Sequence, residues 1–112
     1  MLSASDRRQL ILETLSDRRY EKISNLAMEF DVSVRTIKND IAILSCSAPI
    51  YTVQGNGGGV RVADGWYIGR RYLRKNQEML LRELMVNLDD EQQKIMESIL
   101  TSFGMPQIPR GA

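Results

Sequence analysis

The side chains of this 112-residue chain best suited to recognition chemistry crowd into one short stretch, Ser33 to Leu44, which reads SVRTIKNDIAIL. At about 100° per residue, Val34, Ile37, Ile41 and Leu44 share one arc of a helix. Arg35 and Asn39 fall opposite them, with Thr36 and Lys38 on the flanks. An apolar inner face backed by hydrogen-bonding groups is what a helix needs to lie in a DNA major groove. Arginine can grip guanine O6 and N7, and asparagine can grip adenine N6 and N7, so Arg35 and Asn39 are the expected base readers. Thr36 and Lys38 are expected at a phosphate or a base edge. Asp40 is expected to pair with Lys38, Arg35 or a loop N–H and not to approach DNA. The competing reading of the whole face is a solvated polar helix.

Little else in the chain offers chemistry. There is no histidine, so the usual general base and the commonest metal ligand are both missing. Cys46 stands alone, without a partner for a disulfide, a Cys-His pair or a zinc site. Asp89, Asp90 and Glu91 adjoin one another, but they read as first-turn charges favouring a helix dipole. The expectation is no enzyme, no cofactor and no metal.

Other elements must position the reading helix. Leu26, Ala27 and Phe30 recur at helical spacing, Asp31-Val32-Ser33 breaks the pattern, and Ser33 suits the N-cap of the helix that follows. Two short helices around a tight turn result. Either Lys22 or Ser24 fits the cap of the first, and Ser24 and Asn25 near its start are candidate donors to backbone phosphate. A preceding helix is expected from about Asp6 to Ser16, capped by Ser5 or Ser3, with Leu10, Ile11 and Leu15 facing the core. Arg7 and Arg8 sit in its first turn, the wrong end for the helix dipole, so an anion should attend them. DNA phosphate and a surface Asp or Glu are the two candidates. Asp17–Lys22 reads as a polar connection.

Beyond Leu44, Pro49 stops any helix, and Ile50–Gln54 is rich in β-branched residues. Residues 55–59 (GNGGG) then turn the chain and Val60-Arg61-Val62 returns as a partner strand. A β-ribbon directly after a reading helix is a wing, and Arg61 on it is placed for a neighbouring minor groove or its phosphates. A phosphate-cradling loop of the Walker kind would need a following Lys-Ser/Thr and a helix, and has neither. Trp66 is expected to close the wing side of the core.

Together these residues resemble a known family. Leu26, Ala27, Phe30, Val32, Ser33, Thr36, Ile37, Asp40, Ile41 and Leu44, with Gly57-Gly58-Gly59 behind them, are similar to the helix-turn-helix and Gly-Gly hairpin of DeoR-type winged-helix repressors. More loosely they resemble the amino-terminal readers of related bacterial regulators. The resemblance implies a double-stranded DNA-binding transcriptional regulator. The chain departs from the family in reading Lys38-Asn39 where two basic residues commonly precede the aspartate. It also has Ser45–Pro49 where a glycine often stands. DeoR-type repressors carry a sugar-phosphate-sensing domain beyond the reader, and none fits here. The expectation is a small stand-alone regulator or the front part of a longer one. The alternative function is a winged helix used only for protein assembly.

After the wing the character changes. Arg70, Arg71, Arg74 and Lys75 crowd four cations into six residues, suited to phosphate or to acidic groups of a second subunit. Leu73, Leu80, Leu81, Leu84 and Leu88 follow at helical intervals to about Asn87. Asp89 and Gln92 form a capping box for a last helix with Ile95, Met96, Ile99, Leu100 and Phe103 on its apolar face. The expected fold is therefore mainly α with a small β-hairpin. A winged helix-turn-helix over residues 1–68 precedes a C-terminal helical hairpin over 69–112. Leu80, Leu84, Leu88, Ile95, Ile99 and Phe103 are the candidate homodimer interface; a hairpin folded back on its own winged domain is the competing arrangement.

Composition agrees with this picture. Hydrophobic content of 43% and charged content of 26% are ordinary for a folded domain. The net charge of +1 conceals a basic front, net +4 over residues 1–75, and an acidic back, net −3 over 76–112. No apolar run approaches the ~20 residues of a membrane span. The start MLSASDRR lacks a signal-peptide core, and a lone cysteine suits a reducing compartment. A cytoplasmic protein is expected.

Overall fold

The computed structural model describes residues 2–55 and 58–110. The chain forms two compact units: residues up to Ile68 with the tail from Pro106 onward, and Gly69–Met105.

In the first unit, α1 (Ala4–Arg18) starts at Ser3, whose hydroxyl accepts from the Asp6 N–H at 3.0 Å. It ends at Arg19, where a positive φ of 72° turns the chain and the N–H returns to Leu15 O. Ile11 and Leu15, one turn apart, are fully buried, whereas Leu10 is 38% exposed and not the core residue expected. Tyr20–Lys22 forms a short strand, β1, where a polar connection was expected. Three residues carry too little periodicity to announce a strand; β1 exists because the edge of β3 (Gly59–Val62) offers it backbone partners. With β2 (Ile50–Val53) the sheet runs β1-β3-β2, all antiparallel. The ribbon expected from the sequence is two-thirds of a three-stranded sheet.

Pleating divides this sheet cleanly. Ile50, Val60 and Val62 point inward and are buried, as is Trp66 beyond β3. Tyr20, Arg61 and Tyr51 lie in one row across the opposite face. Arg19 fastens the end of α1 to the exit of β3, its guanidinium donating to Ser16 O and Ala63 O and lying 4.1 Å from the Tyr67 ring centroid. The buried Ser16 hydroxyl accepts from the Ile68 N–H.

Helix α2 (Ile23–Phe30) follows β1 without a break, with Lys22 as its N-cap. Asp31, left-handed at φ 53°, ends it, and α3 (Val34–Leu44) begins from Ser33, whose hydroxyl accepts the Thr36 N–H at 3.1 Å. Ile37, Ile41 and Leu44 pack inward as their spacing predicts; Val34 does not, being 42% exposed in the first turn.

The second unit is a helical hairpin, α4 (Lys75–Met85) and α5 (Asp90–Phe103). Asp89 and Gln92 close the expected capping box, at 2.8 and 3.3 Å. The Gln93 amide donates to Met85 O and Leu88 O and holds the connection shut. Among described residues no helix is long and apolar enough to cross a membrane.

Candidate nucleic-acid interface

Three of the predicted contact residues on α3, Arg35, Lys38 and Asn39, are exposed. None of the three makes a hydrogen bond or ion pair among the described residues. Arg35 and Asn39 stand one turn apart, and the inward side of the same helix is sealed by Ile37, Asp40 and Ile41. Thr36 is already engaged: its hydroxyl lies 2.9 Å from Ser33 Oγ at the cap, and the residue is half-buried. Lys38 also lines an open cleft of about 460 Å³ shared with Ile23, Thr52, Val53, Gln54, Gly55, Gly58 and Gly59. The cleft runs between α3 and the base of the ribbon. Asn56 and Gly57 of the expected turn lie outside the described residues.

The remaining predicted residues are placed differently from one another. Ser24 is exposed on the first turn of α2. The Asn25 amide donates to Glu21 Oε1 at 2.8 Å. That bond, the Lys22 N–H and then Arg18 hold the Glu21 carboxyl below the usual carboxylate range against a smaller opposing effect of burial. Arg61 is exposed on the outer sheet face with its guanidinium 4.9 Å from the Tyr20 ring centroid. That stacking narrows where the arginine can reach. Tyr20 can lie there because residue 59 is glycine: a Cβ at that position would sit 2.4 Å from the ring.

Arg7 is drawn into the protein. Its Nε and Nη2 donate to Asp40 Oδ2 and Oδ1 at 2.6 and 3.0 Å, and Arg8 Nη1 adds a contact to Oδ1 at 3.3 Å. Asp40 itself is 1% exposed. The Asp40 bond pushes the Arg7 pKa up still further. The partner of Asp40 is therefore neither Lys38, Arg35 nor a loop N–H, as local spacing suggested, but two arginines more than thirty residues earlier. Two signals pointed toward this pair. Arg7 and Arg8 occupied the end of α1 that repels cations, and Asp40 stood one place from an apolar stripe.

With this geometry in view, comparison with known proteins is informative. Residues 7–61 match the family described as an HTH domain. That stretch is a helix-turn-helix domain, and with the sheet behind it the unit has a winged helix-turn-helix fold. A curated relative, the uncharacterised HTH-type transcriptional regulator YobV of Bacillus subtilis (strain 168), is 34% identical over 64 residues. The match covers 56% of this chain and 20% of the relative, so it spans about a fifth of that protein's length. No solved structure matches the chain.

In the helical hairpin, Leu80, Leu84, Ile95, Ile99 and Phe103 are exposed, Leu88 is half-buried, and Leu100 alone among the apolar residues of α4 and α5 is buried. Arg71, Arg74 and Lys75 are exposed at its entrance.

Proposed function

We propose that this chain is a sequence-specific double-stranded DNA-binding transcriptional regulator of DeoR-like type, acting in the cytoplasm as a homodimer. The observation that carries the reading is the state of α3: Arg35, Lys38 and Asn39 stand exposed and uncommitted on a helix whose other side is sealed. In this reading Arg35 and Asn39 meet base edges in the major groove, and Lys38, beside the cleft, meets a phosphate. Ser24 contributes from the start of α2 and Arg61 from the ribbon, while Thr36 serves chiefly the cap. The name of the Bacillus relative, a transcriptional regulator, points the same way. The hairpin then supplies self-association, which suits an operator with two half-sites.

The test is a selection of bound sites from random duplexes, followed by titration of the selected and a scrambled duplex at fixed salt. Arg35→Ala with Asn39→Ala should cost about 1–3 kcal/mol of discrimination per reader. Lys38→Ala should weaken both duplexes alike and flatten the salt dependence. Full selectivity in the double variant would overturn the groove assignment. Absence of any low-salt affinity for random duplex would favour an assembly module instead.

A further inference from the structure

We propose that Asp40 is a positioning residue for DNA discrimination: held by Arg7 and Arg8, it fixes the rotation of α3 and withholds both arginines from the phosphate backbone. The inference rests on the DNA-binding reading and goes beyond it by assigning a role to a side chain that DNA does not touch.

The argument begins with what packing alone achieves. Ile37, Ile41 and Leu44 seat α3 through contacts that are strong in sum and indifferent to direction, so the helix can roll slightly on them at little cost. Rolling matters at the outer face. A helix with its side chains has a radius of about 5–6 Å, so a turn of about 10° carries an outer group about 1 Å sideways. The useful range of an N–H···O distance spans only about 0.5 Å. Two readers one turn apart lose their base edges together under such a roll.

A two-point ion pair resists it. Arg7 presents Nε and Nη2 to the two oxygens of one carboxylate, a planar arrangement that tolerates neither rotation nor sliding. Arg8 accepts part of the remaining burden on Oδ1. The carboxylate is nearly sealed from water, so screening by salt is weak and the cost of leaving it unpaired is high. Asp40 also follows Asn39 directly in sequence, so its carboxylate constrains the backbone that carries a reader. Arg7 is committed by both of its bonds and has no part in the salt dependence of DNA binding.

The experiment compares Arg7→Met/Asp40→Leu with the parent on the duplex selected by the parent and on its scrambled counterpart. Apolar replacement of a buried pair is commonly tolerated by the fold, which circular dichroism and thermal unfolding verify. The expected result is scrambled-duplex affinity within about twofold of the parent, an unchanged salt slope, and at least a tenfold fall in the selected-to-scrambled ratio, corresponding to about 1.4 kcal/mol. Arg7→Lys, which keeps the charge and loses the fork, should lower the ratio in the same direction with the slope unchanged, and it covers the case in which the double variant fails to fold. A ratio within twofold of the parent in a folded variant overturns the proposal. So does a slope reduced by about 0.9 in both variants, the signature of a lost phosphate contact. A parent chain that binds no duplex removes the regulator reading as well, and is seen before any variant is made.

Discussion

Glycine 59 offers a quantitative check on the outer sheet face. Its backbone is not in the left-handed region, so alanine is conformationally allowed, and relief from glycine's extra entropy should favour the substitution by about 0.5–1 kcal/mol. Opposing this, the new methyl would lie 2.4 Å from Tyr20 Cε2 and Oη and 2.7 Å from Cζ. Keeping the ring in place means overpacking, at about 1–3 kcal/mol. Releasing it forfeits the Arg61 stacking, about 0.5–1 kcal/mol, and a cross-strand pair, about 0.2–1 kcal/mol. The protein takes the cheaper path, at about 1–2 kcal/mol, so Gly59→Ala should destabilise by a net of about 0.5–1.5 kcal/mol. In a Tyr20→Ala background the clash vanishes, and the same substitution should stabilise by about 0.5 kcal/mol. Urea unfolding of the four proteins reads this directly as a change of sign and a coupling of about 1–2 kcal/mol. If Gly59→Ala has the same effect in both backgrounds, Tyr20 does not cover residue 59 and the description of this face is wrong.

Two further outcomes follow from the same structure. The helical hairpin exposes Leu80 and Leu84 on α4 and Ile95, Ile99 and Phe103 on α5, so sedimentation of the parent at tens of micromolar should give twice the chain mass. Leu84→Asp should halve it; a parent already at one chain mass refutes the dimer. The acid limb of stability should contain a contribution from Glu21 and Glu29, whose carboxyls are both held below the ordinary range, Glu21 by Asn25 first and Glu29 by Arg18 first. A lowered folded-state pKa means the unfolded chain binds protons first. The contribution is therefore intact above the ordinary glutamate value of about 4.3 and is lost as pH falls through the depressed ones. Glu21→Gln should make the fall in urea midpoint between pH 6 and pH 3 shallower, and an identical slope would show that the carboxylate contributes nothing.

What was legible in the sequence was what neighbours along the chain decide. Ser33 as cap, Ile37, Ile41 and Leu44 as an inward stripe, and the Asp89–Gln92 box each depend on residues within a few turns, and the structure has them all. The errors at Val34 and Leu10 are of one kind. Periodicity gives the arc a residue occupies but not how far the neighbouring element extends to cover it, and both residues are left partly exposed. What local pattern could not supply was pairing at long range. Nothing near Tyr20 says strand; Arg61, Val60 and Gly59 say it from some forty residues away. Nothing near Asp40 names Arg7. The candidate site was therefore readable as a list of outward residues on α3, while the devices that hold it were not.

Those unseen pairings explain how the two halves of the reader are joined. β1 runs straight into α2, and Lys22 caps that helix without a side-chain hydrogen bond. A helix start needs partners for its first N–H groups. Here the Ile23 N–H finds the carbonyl of Gly58, at the base of the ribbon, at 3.3 Å. Lys22 pairs with Gly59 in the sheet register, one residue further on. The ribbon thus takes the place of a cap for α2, and α2 in turn packs against α3. Tilting the wing would strip a hydrogen bond from the helix that supports the reading helix. On the other side of α3, Arg7 and Arg8 hold Asp40 from α1. The outward face of α3 is thereby fixed from two directions by interactions of which neither residue 35 nor residue 39 is a member. Its geometry can survive changes in the reading residues themselves, which is the condition under which a scaffold can change its preferred sequence without losing its fold.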